Sequence, residues 1–338
     1  MNTLLLYDTP EDIATAADLI RRGELVAFPT ETVYGLGADA CNADAVRSVF
    51  AAKGRPADNP LIVHIADISQ LEDIAAEIPP IARRLAEAFW PGPLTMVLPK
   101  LPHIPDVTSG GLDTVGIRMP QHPMARALIR AAGCPIAAPS ANRSGRPSPT
   151  TAKHVMDDMD GRIAAVLEGG LCEGGVESTV ICFDDAETAH ILRPGLISAE
   201  DLAPYCGAVR IDPAVYERLA PDAKAASPGM KYKHYAPKAK ITPVEAPSFA
   251  AFSDYVQAHA GDGVYCLLYG SDPDVPGIPC VRYGDSGREQ AHYLFLRFRE
   301  LDEAGASQVY VRIPRQDGAS LSVYNRLMRA AGFEVISL

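Results

Sequence analysis

The stretch Phe28-Pro29-Thr30-Glu31-Thr32-Val33-Tyr34-Gly35-Leu36-Gly37 follows a short apolar run, Leu25 to Phe28, that reads as a buried strand. Proline removes a ladder donor and glycine leaves nothing to pack, so this mixture ends a strand rather than extending it. Hydroxyls, a carboxylate and bare backbone at the end of a buried strand are where an α/β sheet usually meets its ligand. A polar turn that happens to contain glycine is the other reading.

On either side of this stretch, helix and strand signals alternate for two hundred residues. Thr9-Pro10-Glu11-Asp12 starts a helix, with a capping hydroxyl, proline at the first helical position and acids in the first turn. Apolar spacing carries it to about Arg22, and Gly23 closes it. A second helix runs from about Asn42 to Lys53, with Gly54 as its stop. Further helices are predicted near 69–76, 79–89 and 123–132, and strands over 61–65, 94–98, 115–119, 135–138, 163–167, 178–183 and 189–192. Such alternation indicates an α/β domain with a largely buried, twisted sheet, parallel or mixed. Residues 207–238 are rich in proline and glycine and read as a linker. Helices at 248–259, 286–304 and 320–331, with strands at 264–269, 309–313 and 333–336, then form a smaller doubly wound α/β unit over 239–338.

The 338 residues favour two domains, and 47% hydrophobic against 22% charged residues supports a sizeable core. No apolar run of about 18 residues occurs, so no membrane span is expected. The amino-terminal residues lack the basic and apolar regions of a secretory signal. The seven cysteines are scattered, without C-x-x-C; neither a disulfide framework nor a zinc site is indicated, and a cytoplasmic location is the expectation. Net charge is −11, which argues against a general nucleic-acid binder. The charge is uneven: residues 1–206 carry 16 Lys and Arg against 27 Asp and Glu, whereas residues 207–338 carry 15 of each. Ala223 to Val244 contains five lysines and no acid, a local reversal that calls for an anionic partner.

Polar or glycine-rich turns at element ends are the candidate chemistry. Lys53-Gly54-Arg55-Pro56, followed by Asn59-Pro60-Leu61, offers two cations that either clasp phosphate or complement the helix C-terminus. Arg118 lies in an apolar strand and needs an anion, either a protein carboxylate or a ligand carboxylate. Ala138-Pro139-Ser140-Ala141-Asn142, leading to Ser144-Gly145-Arg146-Pro147-Ser148, suits close backbone approach to an anion. Gly174-Gly175-Val176-Glu177-Ser178 and Leu192-Arg193-Pro194-Gly195 repeat the pattern. His64, on an apolar strand, is either a satisfied core histidine or a ligand. There is no G-x-x-x-x-G-K-[ST], no G-x-S-x-G and no H-E-x-x-H. Hydroxyls, cations and glycines without a nucleophile fit chemistry done by positioning and charge stabilisation, with nucleotidyl transfer the leading case.

Taken in order, P-T-E-T-V-Y-G-L-G, K-G-R-P, N-P-L, P-G-P-L-T, G-I-R-M-P, A-P-S-A-N, S-G-R-P-S-P-T, G-V-E-S-T-V and L-R-P-G cover most of residues 10–200 and resemble the YrdC-like domain of threonylcarbamoyl-AMP synthases. Ser227-Pro228-Gly229-Met230-Lys231-Tyr232-Lys233-His234-Tyr235-Ala236-Pro237, with the α/β unit after it, is similar to the long two-domain form. The resemblance implies a YrdC-like catalytic domain over 1–206, a linker or lid over 207–238 and a Rossmann-like domain over 239–338. It implies that L-threonine, bicarbonate or CO2 and ATP give threonylcarbamoyl-AMP and pyrophosphate, and that other proteins use the product to build N6-threonylcarbamoyladenosine in tRNA. On this pattern Thr32, His64, Arg118, Ala138 and Ser178 would hold threonine. Arg55, Asn59, Thr114, Ser140, Ser148, Arg193 and Tyr235 would hold ATP, and Lys53 and Arg55 would offset charge during transfer. No protein metal ligands are evident, so Mg2+ would be carried by phosphate oxygens and water. Glu31 is left between placing that ion and bracing its turn.

Two other classes compete: a double-stranded RNA or tRNA-binding module without turnover, against which the acidic first domain weighs, and a sensor that has lost turnover. A carbamoyl transferase of the hydrogenase-maturation kind shares a YrdC-like domain, but its zinc-finger cysteines and acylphosphatase unit are missing from this sequence. Weak tRNA contact belongs to the first of these readings.

Overall fold

A computed structural model describes residues 2–57, 59–217 and 235–338. Among these residues an 11-stranded mixed sheet is laid out in the order Leu4–Leu6, Ala165–Leu167, Val26–Phe28, Gly35–Asp39, Ile136–Ala137, Ile62–His64, Thr114–Arg118, Leu94–Pro99, Thr179–Phe183, Thr188–Arg193 and Ala208–Ile211. Alternation along a strand sends successive side chains to opposite faces. Val26 and Phe28 accordingly join a cluster with the helices Pro10–Arg21 and Pro123–Ala132, while Leu25 and Ala27 join the larger cluster packed by Ala43–Lys53 and Pro80–Phe89.

The expected caps are present. Thr9 accepts from the Asp12 N–H at 3.1 Å ahead of Pro10. Asn42 caps the helix Ala43–Lys53, and Gly54 ends it at φ 62°, the left-handed geometry that a C-cap glycine takes readily. That stop leaves Lys53 on the last turn and Arg55 just beyond it.

Several elements differ from the sequence reading. Gly35–Asp39 is a strand, antiparallel to Val26–Phe28 with Phe28 opposite Gly35. Residues 29–34 therefore form the loop of a hairpin rather than an exit from the sheet. The helix expected near 69–76 is a 3-10 turn, Ile68–Leu71, and an unforeseen helix spans Ala152–Met159. The expected linker begins with sheet: Ala208–Ile211 pairs in parallel with Thr188–Arg193, so the large sheet runs past residue 206. Most of the expected lid, residues 218–234, lies outside the described residues.

Among the described residues the carboxy-terminal sheet has five strands, all parallel, in the order Cys280–Arg282, Val264–Leu268, Gln308–Arg312, Lys240–Glu245, Ile336–Ser337. Lys240–Glu245 was not foreseen, because Pro243 argues against a central strand. The helices Gly287–Glu303 and Ser320–Ala331 lie between this sheet and the large domain, and their apolar cluster takes in Val33 and Val176 from that domain together with Tyr235. The approach is tight at Gly175, where φ is +71° and a Cβ would come within 2.3 Å of the Ala291 carbonyl oxygen.

Candidate active site

The loops at the strand ends line a cleft, open to solvent, whose empty space including its mouth is about 740 Å3. Thr32, His64, Arg118, Ala138 and Ser178 line it, as do Lys53, Arg55, Ser140, Arg193 and Tyr235. Parallel pairing of Ile62–His64 with Thr114–Arg118 sets His64 directly beside Arg118. Thr32 is fully buried; Thr30 gives its proton to the Val33 carbonyl at 2.6 Å, so across the 2.8 Å contact between the two hydroxyls Thr32 donates and keeps its lone pairs.

Arg118 is 4% exposed. Its Nη2 lies 2.7 Å from Glu31 Oε1, an ion pair whose alignment falls short of a hydrogen bond, and its Nε has no hydrogen-bond partner among the described residues. The protein carboxylate anticipated as one alternative is thus Glu31, whose Oε2 accepts from the Gln121 N–H at 3.0 Å. An unmet guanidinium donor in a dry site is costly, so the geometry leaves a place for a planar anion. Burial, and then the Arg118 charge, push the His64 pKa down to about 3; the ring is neutral, and with its proton on Nδ1 it donates to the Ile62 carbonyl at 3.1 Å.

Around the other end cations gather. Lys53 Nζ donates to the main-chain oxygens of Ser140 and, at 2.6 Å, Asn142. Burial, and then Arg55, pull its pKa well down, against the acceptor oxygens that favour the ammonium; an arriving polyanion would favour the charged form. Lys53 lines the cavity, yet in this arrangement it braces the 140–142 loop. Arg193 Nε donates to the Ser178 carbonyl at 3.1 Å and Nη2 to Ser178 Oγ at 3.2 Å, while Ser178 Oγ meets Thr95 Oγ1 at 2.7 Å. Gly195 permits this clamp, since a Cβ there would stand 2.3 Å from the Thr179 nitrogen. Tyr235, with φ 68°, sits in the left-handed region that bulky residues avoid. Its ring is held by stacking on Phe295 at 5.4 Å and by the Arg326 guanidinium at 5.5 Å.

Three of the expected nucleotide residues stand outside the lining. Thr114 borders a smaller cavity that shares Ile62 with the main one. Asn59 is buried nearby in the chain, its carboxamide without a hydrogen-bond partner among the described residues. Ser148 is buried behind the wall and donates to Glu177 Oε1. Conversely Thr30, Asn142, Ser144, Gly145 and Glu177 line the cleft without having been singled out. All five belong to the quoted turns, but a turn motif does not say which of its side chains face inward. Burial alone would raise the Glu177 carboxyl; Arg326, then Arg193 and Ser148, hold it below the usual range.

A family model described as "Telomere recombination" matches residues 18–195, and one described as "Threonylcarbamoyl-AMP synthase, C-terminal domain" matches residues 197–332. The threonylcarbamoyl-AMP synthase of Pyrococcus abyssi is 46% identical over 329 residues, covering 96% of this chain and 96% of the relative. That of Bacillus subtilis is 46% identical over 333 residues, covering 96% and 94%. The crystal structure of P. abyssi Sua5 complexed with L-threonine superposes with a TM-score of 0.92 at 44% identity, over 100% of both chains. Among the described residues no helix is long and apolar enough to cross a membrane.

Proposed function

This chain belongs to the threonylcarbamoyl-AMP synthase family, and on that footing we propose that its cleft joins L-threonine, bicarbonate or CO2 and ATP into threonylcarbamoyl-AMP, releasing pyrophosphate. The observation that carries the reading is Arg118, buried and with an unmet Nε donor, in a cleft that also holds Lys53, Arg55 and Arg193. A carboxylate and a triphosphate are the two anions that a threonine adenylation-type reaction must hold at once.

The amino acid carboxylate meets the planar fork of Arg118. Thr32 offers hydroxyl lone pairs to the substrate amine or hydroxyl, and Ala138 and Ser178 are small enough to leave room for a branched side chain. The amine nitrogen bonds to the carbon of CO2 as one C–O π bond opens onto its oxygen, and the proton the nitrogen gives up passes to solvent water, leaving the carbamate. A carbamate oxygen then attacks the α-phosphorus while the bond to the β-phosphate oxygen breaks and pyrophosphate leaves. Arg55 and Arg193 offset the charge that develops, with Lys53 holding the 140–142 loop and contributing its charge. The nucleoside lies toward Asn59 and Thr114, beside the smaller cavity, and Ser140 and Tyr235 complete the nucleotide end. His64, neutral, packs against the bound amino acid, and no general base is assigned.

The carboxylate that lines the cleft among the described residues, Glu177, is already engaged by Ser148 and Arg326, and the neighbouring Glu31 is engaged by Arg118 and Gln121. That donor set fits Mg2+ carried by phosphate oxygens and water, where it neutralises charge on the triphosphate. Of the two readings of Glu31, bracing is the one its partners favour. The product passes to tRNA-modifying proteins, in a cytoplasmic setting.

The test is to incubate the protein with ATP, Mg2+, bicarbonate and L-threonine and measure pyrophosphate. Release is expected only when threonine and bicarbonate are both present. Salt-dependent tRNA binding with no pyrophosphate would instead favour an RNA-binding module.

A further inference from the structure

The carboxy-terminal domain reaches the cleft carboxylate Glu177 through a guanidinium. Arg326, on Ser320–Ala331, is fully buried. Its Nε donates to Glu177 Oε2 at 3.0 Å, its Nη2 to the Glu177 carbonyl at 3.4 Å and its Nη1 to the Pro194 carbonyl at 2.7 Å. Glu177 in turn accepts from Ser148 with its other carboxylate oxygen. One side chain thereby ties together the 148, 177 and 193–195 segments, and its charge also faces the Tyr235 ring. These segments and Tyr235 are the nucleotide end of the site. Other contacts from the same helix fasten the domains elsewhere: Asn325 donates to the Val215 carbonyl at 2.8 Å and Arg329 to that of Ala214 at 2.9 Å. Simple attachment of the two domains therefore does not require a guanidinium on a cavity carboxylate.

We propose that Arg326 is a positioning residue for nucleotide binding: from the carboxy-terminal domain it fixes Glu177 against Ser148 and keeps that carboxylate from competing with the polyphosphate for the cleft's cations. Four cations, Lys53, Arg55, Arg118 and Arg193, line the cleft together with the carboxylate of Glu177, while Glu31, outside the lining, pairs with Arg118. A buried carboxylate that loses its partner seeks the nearest positive charge, because an unpaired buried charge is very unfavourable. Without Arg326, Glu177 would turn to the cations of the cleft and occupy an anion's place. The amino acid end meets this network at Ser178, which follows Glu177 and is held by Arg193, whereas Glu31, Gln121 and the strand pairing of His64 with Arg118 lie outside it.

The proposal rests on the cleft being the site of threonylcarbamoyl-AMP formation, and its test separates the two ideas. Full-length wild type, Arg326→Met, Arg326→Lys and the double variant Glu177→Gln/Arg326→Met are compared in pyrophosphate release with ATP and L-threonine varied in turn, and in calorimetric titration with ATP alone. Arg326→Met should raise the ATP KM and Kd by about tenfold or more while the L-threonine KM stays within about twofold. The double variant should regain most of the lost ATP affinity, because the competing carboxylate is gone. Equal shifts in both KM values, no shift in ATP affinity, or a double variant no better than Arg326→Met would overturn the proposal. Should Arg326→Met fail to fold, Arg326→Lys carries the same readout, keeping the charge but not the fork, with a several-fold ATP effect expected and none overturning it. If wild type shows no threonine-dependent turnover, the functional reading fails, and the ATP titrations still decide the role of Arg326.

Discussion

The two ends of the cleft are built differently. At the Arg118 end the polar partners come from the large domain, Glu31 and Thr32 from one hairpin loop and His64 and Arg118 from neighbouring parallel strands. Among the described residues the carboxy-terminal helices touch it only through the apolar Val33 of that loop. At the Arg193 end the side chains lean on the carboxy-terminal domain, through Arg326 on Glu177 and Pro194 and through Phe295 under Tyr235. An end held by strand register is fixed as soon as the sheet forms. The other is fixed only when a second domain has docked, and such elements are where conformational change is easiest to place.

The largest expected effect would break the domain-dependent end. Phe295 is fully buried and stacks on Tyr235, so Phe295→Ala should cost about 3–5 kcal/mol in unfolding of the carboxy-terminal domain. Thermal or denaturant unfolding measures that cost, and L-threonine affinity by calorimetry should be unchanged; an equal loss of threonine binding would erase the distinction between the ends. The reciprocal experiment is Arg118→Ala. It should cost threonine binding about 3 kcal/mol, roughly a hundredfold in Kd, with ATP affinity little altered.

Acid sharpens the comparison further. Folding lowers the pKa of His64 from 6.5 to about 3, by burial and then Arg118, and that of His154 to about 4, by burial and then Arg299. Both rings stay neutral in the folded protein while the unfolded chain takes up protons below about pH 6.5, so stability falls as pH drops from there toward 3–4. The slope for a fully buried ring such as His64 is about 1.4 kcal/mol per pH unit. Unfolding free energies from pH 7 to pH 5 check this, and a flat profile would contradict the neutral buried imidazole.

The smallest effect belongs to the domain boundary away from the cleft. Arg299 donates to the Pro147 carbonyl at 2.6 Å and to Asp158 at 2.9 Å, where Arg146 also binds the carboxylate at 2.6 Å. With Arg146 still in place, Arg299→Met should lower stability by only about 1–2 kcal/mol and leave both KM values alone. A large rise in the ATP KM would mean that the nucleotide end depends on the whole interface rather than on Arg326.

Much of this was legible because the informative signals are local. A capping threonine, a stop glycine and short apolar runs set Pro10–Arg21, Ala43–Lys53 and most strands within a residue or two. Where local signals mislead, the neighbours had decided. Gly35 and Gly37 sit in a strand because Phe28, Ala138 and Ile136 crowd the places where their Cβ atoms would be. Pro243 is accepted in Lys240–Glu245, which pairs with Ile336–Ser337 only through Val244 and Glu245. Ala208–Ile211 has weak strand character of its own and forms on the template of Thr188–Arg193.

The sequence by itself determined the order of turns and strands, and the resemblance carried by that order named Thr32, His64, Arg118, Ala138 and Ser178 together; four of them stand at or next to strand ends, Thr32 stands in the hairpin loop, and all five line one cleft. Only the tertiary structure decided that Glu31 is Arg118's carboxylate, that Ser148 faces Glu177 instead of the cavity, and that Arg326 grips a residue 149 positions away. Periodicity and caps report what a residue does within its own element. Which buried charge pairs with which is fixed only when elements distant in sequence exclude water from the same place, and no local pattern encodes that meeting.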